Sequence, residues 1–136
     1  VSTPEQIVSS EIAAAIGARP GLRIWRNNTG TAYQPISDAG RVALQRLMRT
    51  PGMLRPVNYG LTGSTDYIGL AAAKCPACGT GPVGRFVALE VKSLKGTLSE
   101  QQRRFGVMVQ SLGGIWIPAR SAEEARAGIE RELREG

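Results

Sequence analysis

Phe86-Val87-Ala88-Leu89-Glu90-Val91-Lys92 is the stretch on which the reading of this chain turns. Apolar and β-branched residues dominate it, the composition of a β-strand. Side chains alternate along a strand, so Val87, Leu89 and Val91 share one face and Phe86, Ala88, Glu90 and Lys92 the other. Both faces begin apolar, which predicts a strand covered on both sides in the middle of a sheet. One face nevertheless ends in a carboxylate and an ammonium. Burying charge is costly unless it is paired or holds a metal, so two readings stand. Either Glu90 and Lys92 emerge into solvent, or Glu90 binds a metal beside a lysine that orients an attacking water. The triplet alone does not choose. Nine Glu and three Lys in 136 residues give roughly 0.2 chance Glu-x-Lys pairs.

The rest of the composition narrows the chemistry. A chain of 136 residues, 42% hydrophobic, is long enough for one domain with a real core. A net charge of +6 favours an acidic partner, most simply nucleic acid. Histidine is absent, which excludes a Ser-His-Asp triad, a Cys-His pair and any His-ligated metal. Catalysis must then rest on carboxylates, Lys or Cys, and Asp38 and Asp66 are the only aspartates. No apolar run approaches a membrane span and no signal-peptide pattern opens the chain, so the expectation is a soluble cytoplasmic protein with no membrane partner.

Upstream, residues 4–17 read as a helix, with Thr3 as N-cap, Pro4 at its first position and Gly17 at its end. Val8, Ile12, Ala15 and Ile16 form its apolar stripe, and Glu5 falls inside that stripe while Glu11 lies at its edge. Glu5 either favours the helix dipole in the first turn or serves a site. Gly21–Trp25 reads as a short strand. The turn after it, Arg26-Asn27-Asn28-Thr29-Gly30, offers the guanidinium, amide and hydroxyl donors that phosphate recognition uses. Residues 31–56 signal little. Val42, Leu44, Leu47 and Met48 mark one short helix with Arg41, Arg46 and Arg49 on its exposed side, broken at Pro51-Gly52. Gly60 and Gly63 bracket a turn before a strand over Thr65–Leu70, which places Asp66, Ile68 and Leu70 on one face. Aspartate disfavours strands. Asp66 with Glu90 would bring two carboxylates to one sheet edge.

The link over about residues 71–85 carries Cys75-Pro-Ala-Cys78-Gly. Structural zinc needs four ligands, and the chain has no other Cys or His. A hairpin turn with idle thiols, a redox-sensitive disulfide, and half a Zn²⁺ site completed by a second subunit all remain open. After the central strand, Ser99 and Gln102 form a capping box opening a helix, with Phe105, Met108, Val109 and Leu112 inward and Gly113 ending it. Ile115–Ile117 is a strand stopped by Pro118. Ser121 with Glu124 opens a last helix that buries Ala122, Ala125, Ile129 and Leu133. The order predicts an α/β domain, a small mixed β-sheet flanked by α-helices.

Glu5 on a first helix, Trp25-Arg26-Asn27-Asn28-Thr29-Gly30, Gly63-Ser64-Thr65-Asp66, Glu90-Val91-Lys92 and Leu98-Ser99-x-x-Gln102 occur here in one order. In that order they resemble the VRR-NUC nucleases, a branch of the PD-(D/E)xK superfamily, over roughly residues 4–127. The resemblance implies a restriction-endonuclease-like core forming a single domain over 1–136, with the Cys-x-x-Cys segment as an insertion. It implies a hydrolase, an endonuclease cutting DNA with Mg²⁺ or Mn²⁺. Asp66, Glu90 and the Val91 carbonyl would bind the metal, with Glu5 completing its shell, and Lys92 would position or activate water. Gln102 would steady the site. Arg26, Asn27, Asn28, Thr29, Ser64, Lys95 and Arg103 would contact DNA. Thr65 stands where the superfamily nominally has Pro. Small stand-alone members look like phage or bacterial enzymes that cut branched DNA as homodimers, which implies a Holliday-junction resolvase-like role in recombination or DNA repair, in a bacterial or phage-infected cell. A monomer cutting flaps or single strands is the rival, and a non-catalytic dimeric DNA-binding module the alternative from another class.

Overall fold

In the computed structural model, which describes residues 3–28, 30–47 and 54–135, the double-sided apolar run becomes an inner strand. The elements in order are α1 (Pro4–Gly17), β1 (Leu22–Arg26), β2 (Gly30–Pro35), α2 (Asp38–Leu47), β3 (Leu54–Tyr59) and β4 (Tyr67–Lys74). They continue with β5 (Pro82–Val91), α3 (Glu100–Ser111), β6 (Ile115–Ala119) and α4 (Ala122–Glu135). The chain divides into two compact units, Val1–Asn27 with Gly63–Gly136, and Asn28–Thr62.

The larger unit holds a four-stranded mixed sheet in the order β1-β4-β5-β6. β4 runs antiparallel to both β1 and β5, and β6 runs parallel to β5. A parallel pair needs a crossover, which α3 supplies. Val87 through Val91 are all buried, as the sequence of both faces predicts. The Val87, Leu89 and Val91 face meets Ile12 and Ile16 of α1 and Ala125 and Ile129 of α4, with Ile115 and Ile117 of β6 completing the cluster. Each fully buried aliphatic side chain there contributes about 1.5–3 kcal/mol relative to exposure. α1 has the bounds its sequence predicts, closed by a Thr3–Gln6 capping box.

Several expectations need correcting. Residues 71–74 and 82–85 are not a link but the ends of β4 and β5, so the Cys-x-x-Cys segment is only the tip of a hairpin. The strand expected from Thr65 starts at Tyr67. β6 passes through Pro118 to Ala119, tolerated because β6 is an edge strand and one missing N–H breaks no inner ladder. On α3, Met108 is 42% and Leu112 80% exposed, whereas the helical period put both inward. The helix instead approaches the sheet through Gly106, where a Cβ would lie 2.4 Å from the Trp116 ring. Glu124 takes the Arg120 N–H at 2.8 Å while its own N–H donates to Ser121 Oγ, so the last cap is shifted by one residue from a capping box.

The smaller unit is a β2–β3 antiparallel hairpin joined through α2. The sequence signalled the helix but not the hairpin. Val42, assigned to its apolar side, is 93% exposed. Met48, Arg49, Pro51 and Gly52 lie outside the described residues. No helix among the described residues is long and apolar enough to cross a membrane.

Candidate active site at the β4–β5 edge

Strand pairing between β4 and β5 stops at Tyr67–Leu89. One step further, Asp66 stands opposite Glu90, on the face that Ile68 and Ala88 share. Like charges opposite one another separate strands, and here the ladder is replaced by side-chain bonds. Asp66 Oδ2 accepts the Val91 N–H at 2.8 Å, taking the place of a main-chain carbonyl. The next amide, Lys92 N–H, turns the other way and donates to Ala119 O at 2.9 Å. Within a strand the N–H and C=O of one residue point to the same side, so the Val91 carbonyl opens on the side Asp66 occupies.

Glu90 is a buried acid, 2% exposed. Its Oε1 is 2.9 Å from the Lys92 ammonium and accepts a hydrogen bond from Gln102 Nε2. The same Gln102 side chain accepts the Ser99 N–H through Oε1 at 2.9 Å, completing the capping box of α3. One amide therefore ties the helix start to the strand end. Burial pushes the Glu90 carboxyl above the ordinary carboxylate range, the Lys92 bond pulls it back, and the charges of Asp66 and Glu5 push it further up. Asp66 and Glu5 thus both lie within electrostatic reach of Glu90.

The turn that delivers Asp66 is fixed from two directions. Asn27 N–H donates to Asp66 O at 2.7 Å, and its side-chain amide donates to Ser64 Oγ and Thr65 O, both at 2.9 Å. Gly63 takes φ +79°, and a Cβ there would lie 2.6 Å from Gln101 Cβ. Only glycine suits both the conformation and the approach to α3. A cleft of about 150 Å³ opens beside Asp66, lined by Thr3, Glu5, Gln6, Ser9, Arg26, Asp66 and Val91. Glu5 is one turn before buried Ser9 on the face that carries Ile12 and Ile16, so it overhangs the sheet edge. Glu11 does not line this cleft.

Glu5, Arg26, Asp66, Glu90, Val91, Lys92 and Gln102 are thus gathered at one edge, with Asn27 and Ser64 bracing it. Lys95 and Arg103 are exposed, and neither bonds to this cluster among the described residues. Lys95 borders a separate apolar pocket with Pro4, Val8, Ser93 and Leu94. Asn28 is exposed and belongs to the smaller unit, and Thr29 lies outside the described residues. Cys75 and Cys78 are free thiols at the hairpin tip. Sequence reasoning missed the Ser9 Oγ–Tyr67 Oη bond of 2.7 Å beside the cleft; a small polar residue on an apolar stripe is the signal that could have found it. Thr65 Oγ1 is likewise buried there, without a hydrogen-bond partner among the described residues.

Among the described residues no three His, Cys, Asp or Glu converge as a ready-made metal cluster. The donor set is two facing carboxylates with a main-chain carbonyl beside them, and one oxygen of each carboxylate remains outside the bonds described. Hard oxygens in that number suit Mg²⁺, which keeps several waters and takes one or two carboxylates plus substrate phosphate. No protein-family model matches the chain, and no curated protein or solved structure is detectably similar to it.

Proposed function

We propose that the chain is a metal-dependent endonuclease that hydrolyses phosphodiester bonds in DNA at the β4–β5 edge. The observation that carries this reading is the pairing of Asp66 with Glu90 where the ladder ends, with Lys92 bonded to the buried acid. The Asp66 carboxylate bonds the Val91 N–H, but its charge also raises the cost of ionising the facing Glu90, a cost that a divalent cation held by both acids would offset. The order helix, three strands, helix, strand in the larger unit supports a restriction-endonuclease-like core, with Asn28–Thr62 as an excursion between its first two strands.

Asp66, Glu90 and the Val91 carbonyl would hold Mg²⁺ or Mn²⁺, with Glu5 reaching it through water from across the cleft. When bound, such an ion neutralises phosphate charge and lowers the pKa of a water molecule. The chain supplies the rest. The Val91 N–H fixes one Asp66 oxygen, and Gln102 and Lys92 hold Glu90 by its Oε1, so both acids are preorganised. The Lys92 ammonium, 13% exposed and bonded to Glu90, would orient a water toward a phosphorus. Arg26 on the cleft wall can hold a neighbouring phosphate. A basic chain of this kind binds DNA through its backbone, so affinity falls with salt and sequence preference is weak.

Branched DNA is the proposed substrate, cut by two copies related by a two-fold axis. That symmetry matches the two equivalent strands of a four-way junction. The test incubates the protein with a labelled junction, a flap and plain duplex, each with EDTA, Mg²⁺ or Mn²⁺, beside Asp66→Asn. Metal-dependent cutting lost in the variant supports the nuclease, and preference for the flap would replace junction by flap cleavage. DNA binding without cutting of any substrate would overturn the enzyme reading in favour of a binding module.

A further inference from the structure

The β4–β5 hairpin is longer than its neighbours. β1 pairs with β4 no further than Ala71, with one more bond from Ala72 N–H to Gly21 O, and β6 pairs with β5 no further than Val87. Arg85 fastens the base of the extension, donating to Gly113 O at 3.1 Å and Glu132 O at 2.9 Å. Beyond that, Ala73–Lys74 and Pro82–Val83 pair only with each other. A lone two-stranded ribbon is marginal in water. This one carries both cysteines of the chain at its tip.

The tip resembles a metal knuckle in its spacing and its turn. Cys75 and Cys78 have the two-residue spacing of a structural zinc ligand pair. The Gly79 N–H closes the turn on Cys75 O at 2.8 Å, and Gly79 and Gly81 both take positive φ, +68° and +67°. Both thiols stand at this tip, Cys75 half-buried and Cys78 exposed. Thr80 Oγ1 donates to Cys78 Sγ at 3.2 Å. The tip is not buried in this chain, and exposed Lys74 beside it offsets negative charge.

We infer that Cys75 and Cys78 form half of a tetrahedral Zn²⁺ site that is closed by the same two residues of a second copy. Four-coordinate zinc requires two more ligands, and the chain contains no histidine and no third cysteine. Identical half-sites meeting on a two-fold axis satisfy the requirement with one residue pair. The ribbons then cross tip to tip and steady one another. This inference does not depend on the nuclease reading, because its ligands stand at the opposite end of the β4–β5 hairpin from Asp66 and Glu90.

The experiment takes the reduced full chain, stripped with chelator, and adds Zn²⁺ alone. Expected are one Zn²⁺ per two chains, a doubling of molar mass by light scattering, and return to the monomer on chelation. Co²⁺ in place of Zn²⁺ should give the intense thiolate-to-metal absorption of a four-sulfur tetrahedral site. Cys78→Ser should abolish both signals, and because the residue is exposed the fold should persist by circular dichroism. Asp66→Asn should leave them unchanged. One metal per chain without a mass increase, a dimer indifferent to chelation, or a response lost in Asp66→Asn but kept in Cys78→Ser would each overturn the inference. None of these readouts involves DNA cleavage.

Discussion

Replacing Lys92 by Met removes the only cation bonded to Glu90 among the described residues and leaves a carboxylate that is 3% exposed by its side chain. Breaking a buried pair in this way typically costs about 3–5 kcal/mol. Here protonation sets a ceiling. A carboxyl with an ordinary pKa of 4.5 is neutralised at pH 7 for about 3.4 kcal/mol, at about 1.36 kcal/mol per pH unit. The buried acid cannot cost more than that, because it would take up a proton instead. Gln102 still donates to Glu90 and reduces the loss, so Lys92→Met should destabilise the metal-free protein by about 2–3 kcal/mol at pH 7. The sign of its pH dependence follows from the raised pKa. An acid whose pKa is higher folded than unfolded contributes stability below the unfolded value and loses it as pH rises through the folded value. The deficit should therefore shrink to below about 1 kcal/mol at pH 5. Urea unfolding in EDTA, followed by far-ultraviolet circular dichroism at both pH values, measures it. Glu90→Gln combined with Lys92→Met should recover most of the loss at pH 7. A deficit under about 0.5 kcal/mol at pH 7, the worth of a solvated surface pair, would refute the reasoning, as would one that does not diminish in acid.

Gln102→Ala loses both ends of its amide, the Ser99 cap and the Glu90 donor, and should cost about 1–2 kcal/mol by chemical denaturation. It should also slow metal-dependent cleavage, and Gln102→Glu, which keeps the cap acceptor but repels Glu90, should not restore the rate in the same assay. Glu5→Gln should reduce cleavage about 10-fold, the scale of a lost outer-shell group. Glu11→Gln should leave the rate unchanged in the same assay; equal effects would remove Glu5 from the site. Gly106→Ala drives a methyl into the Trp116 ring and should lower stability by about 1–3 kcal/mol in thermal or urea unfolding.

Much of the larger unit is legible because local signals and tertiary packing agree. The run Val87–Val91 is apolar on both faces and is covered on both faces. Pro4 and Thr3 define one helix start, and Ser99 with Gln102 another. Where local preference is weak, pairing decides instead. Ala71-Ala72-Ala73-Lys74 and Pro82-Val83-Gly84-Arg85 contain poor strand formers, yet each residue has a partner across the hairpin. α3 misleads for a related reason. Gly106 lets the backbone sit against Trp116, which fixes the face it presents and leaves Met108 and Leu112 outside. An apolar periodicity cannot reveal that a glycine, having no side chain to count, marks the contact.

At the site, the limit of sequence reasoning lies in register. Asp66 disfavours a strand by composition, and the sequence brings it only as far as a shared edge with Glu90; the Tyr67–Leu89 pairing sets the two acids opposite one another and aims the Asp66 oxygen at the Val91 N–H. A slip of one residue would put the two acids on opposite faces. Gln102 teaches the converse. Its spacing from Ser99 accounts for it as a cap, a reading that leaves room for a second role at the nearby strand end. The amide has two ends, however: Oε1 serves the helix and Nε2 serves Glu90. The cap holds the Gln102 side chain back over the helix start, where its donor meets the strand end. The structural role therefore places the site residue, and evidence for the cap is no evidence against the site. The same holds for Glu5, whose place in the first turn suits the helix dipole and whose place on the Ser9–Ile12–Ile16 face brings it over the cleft.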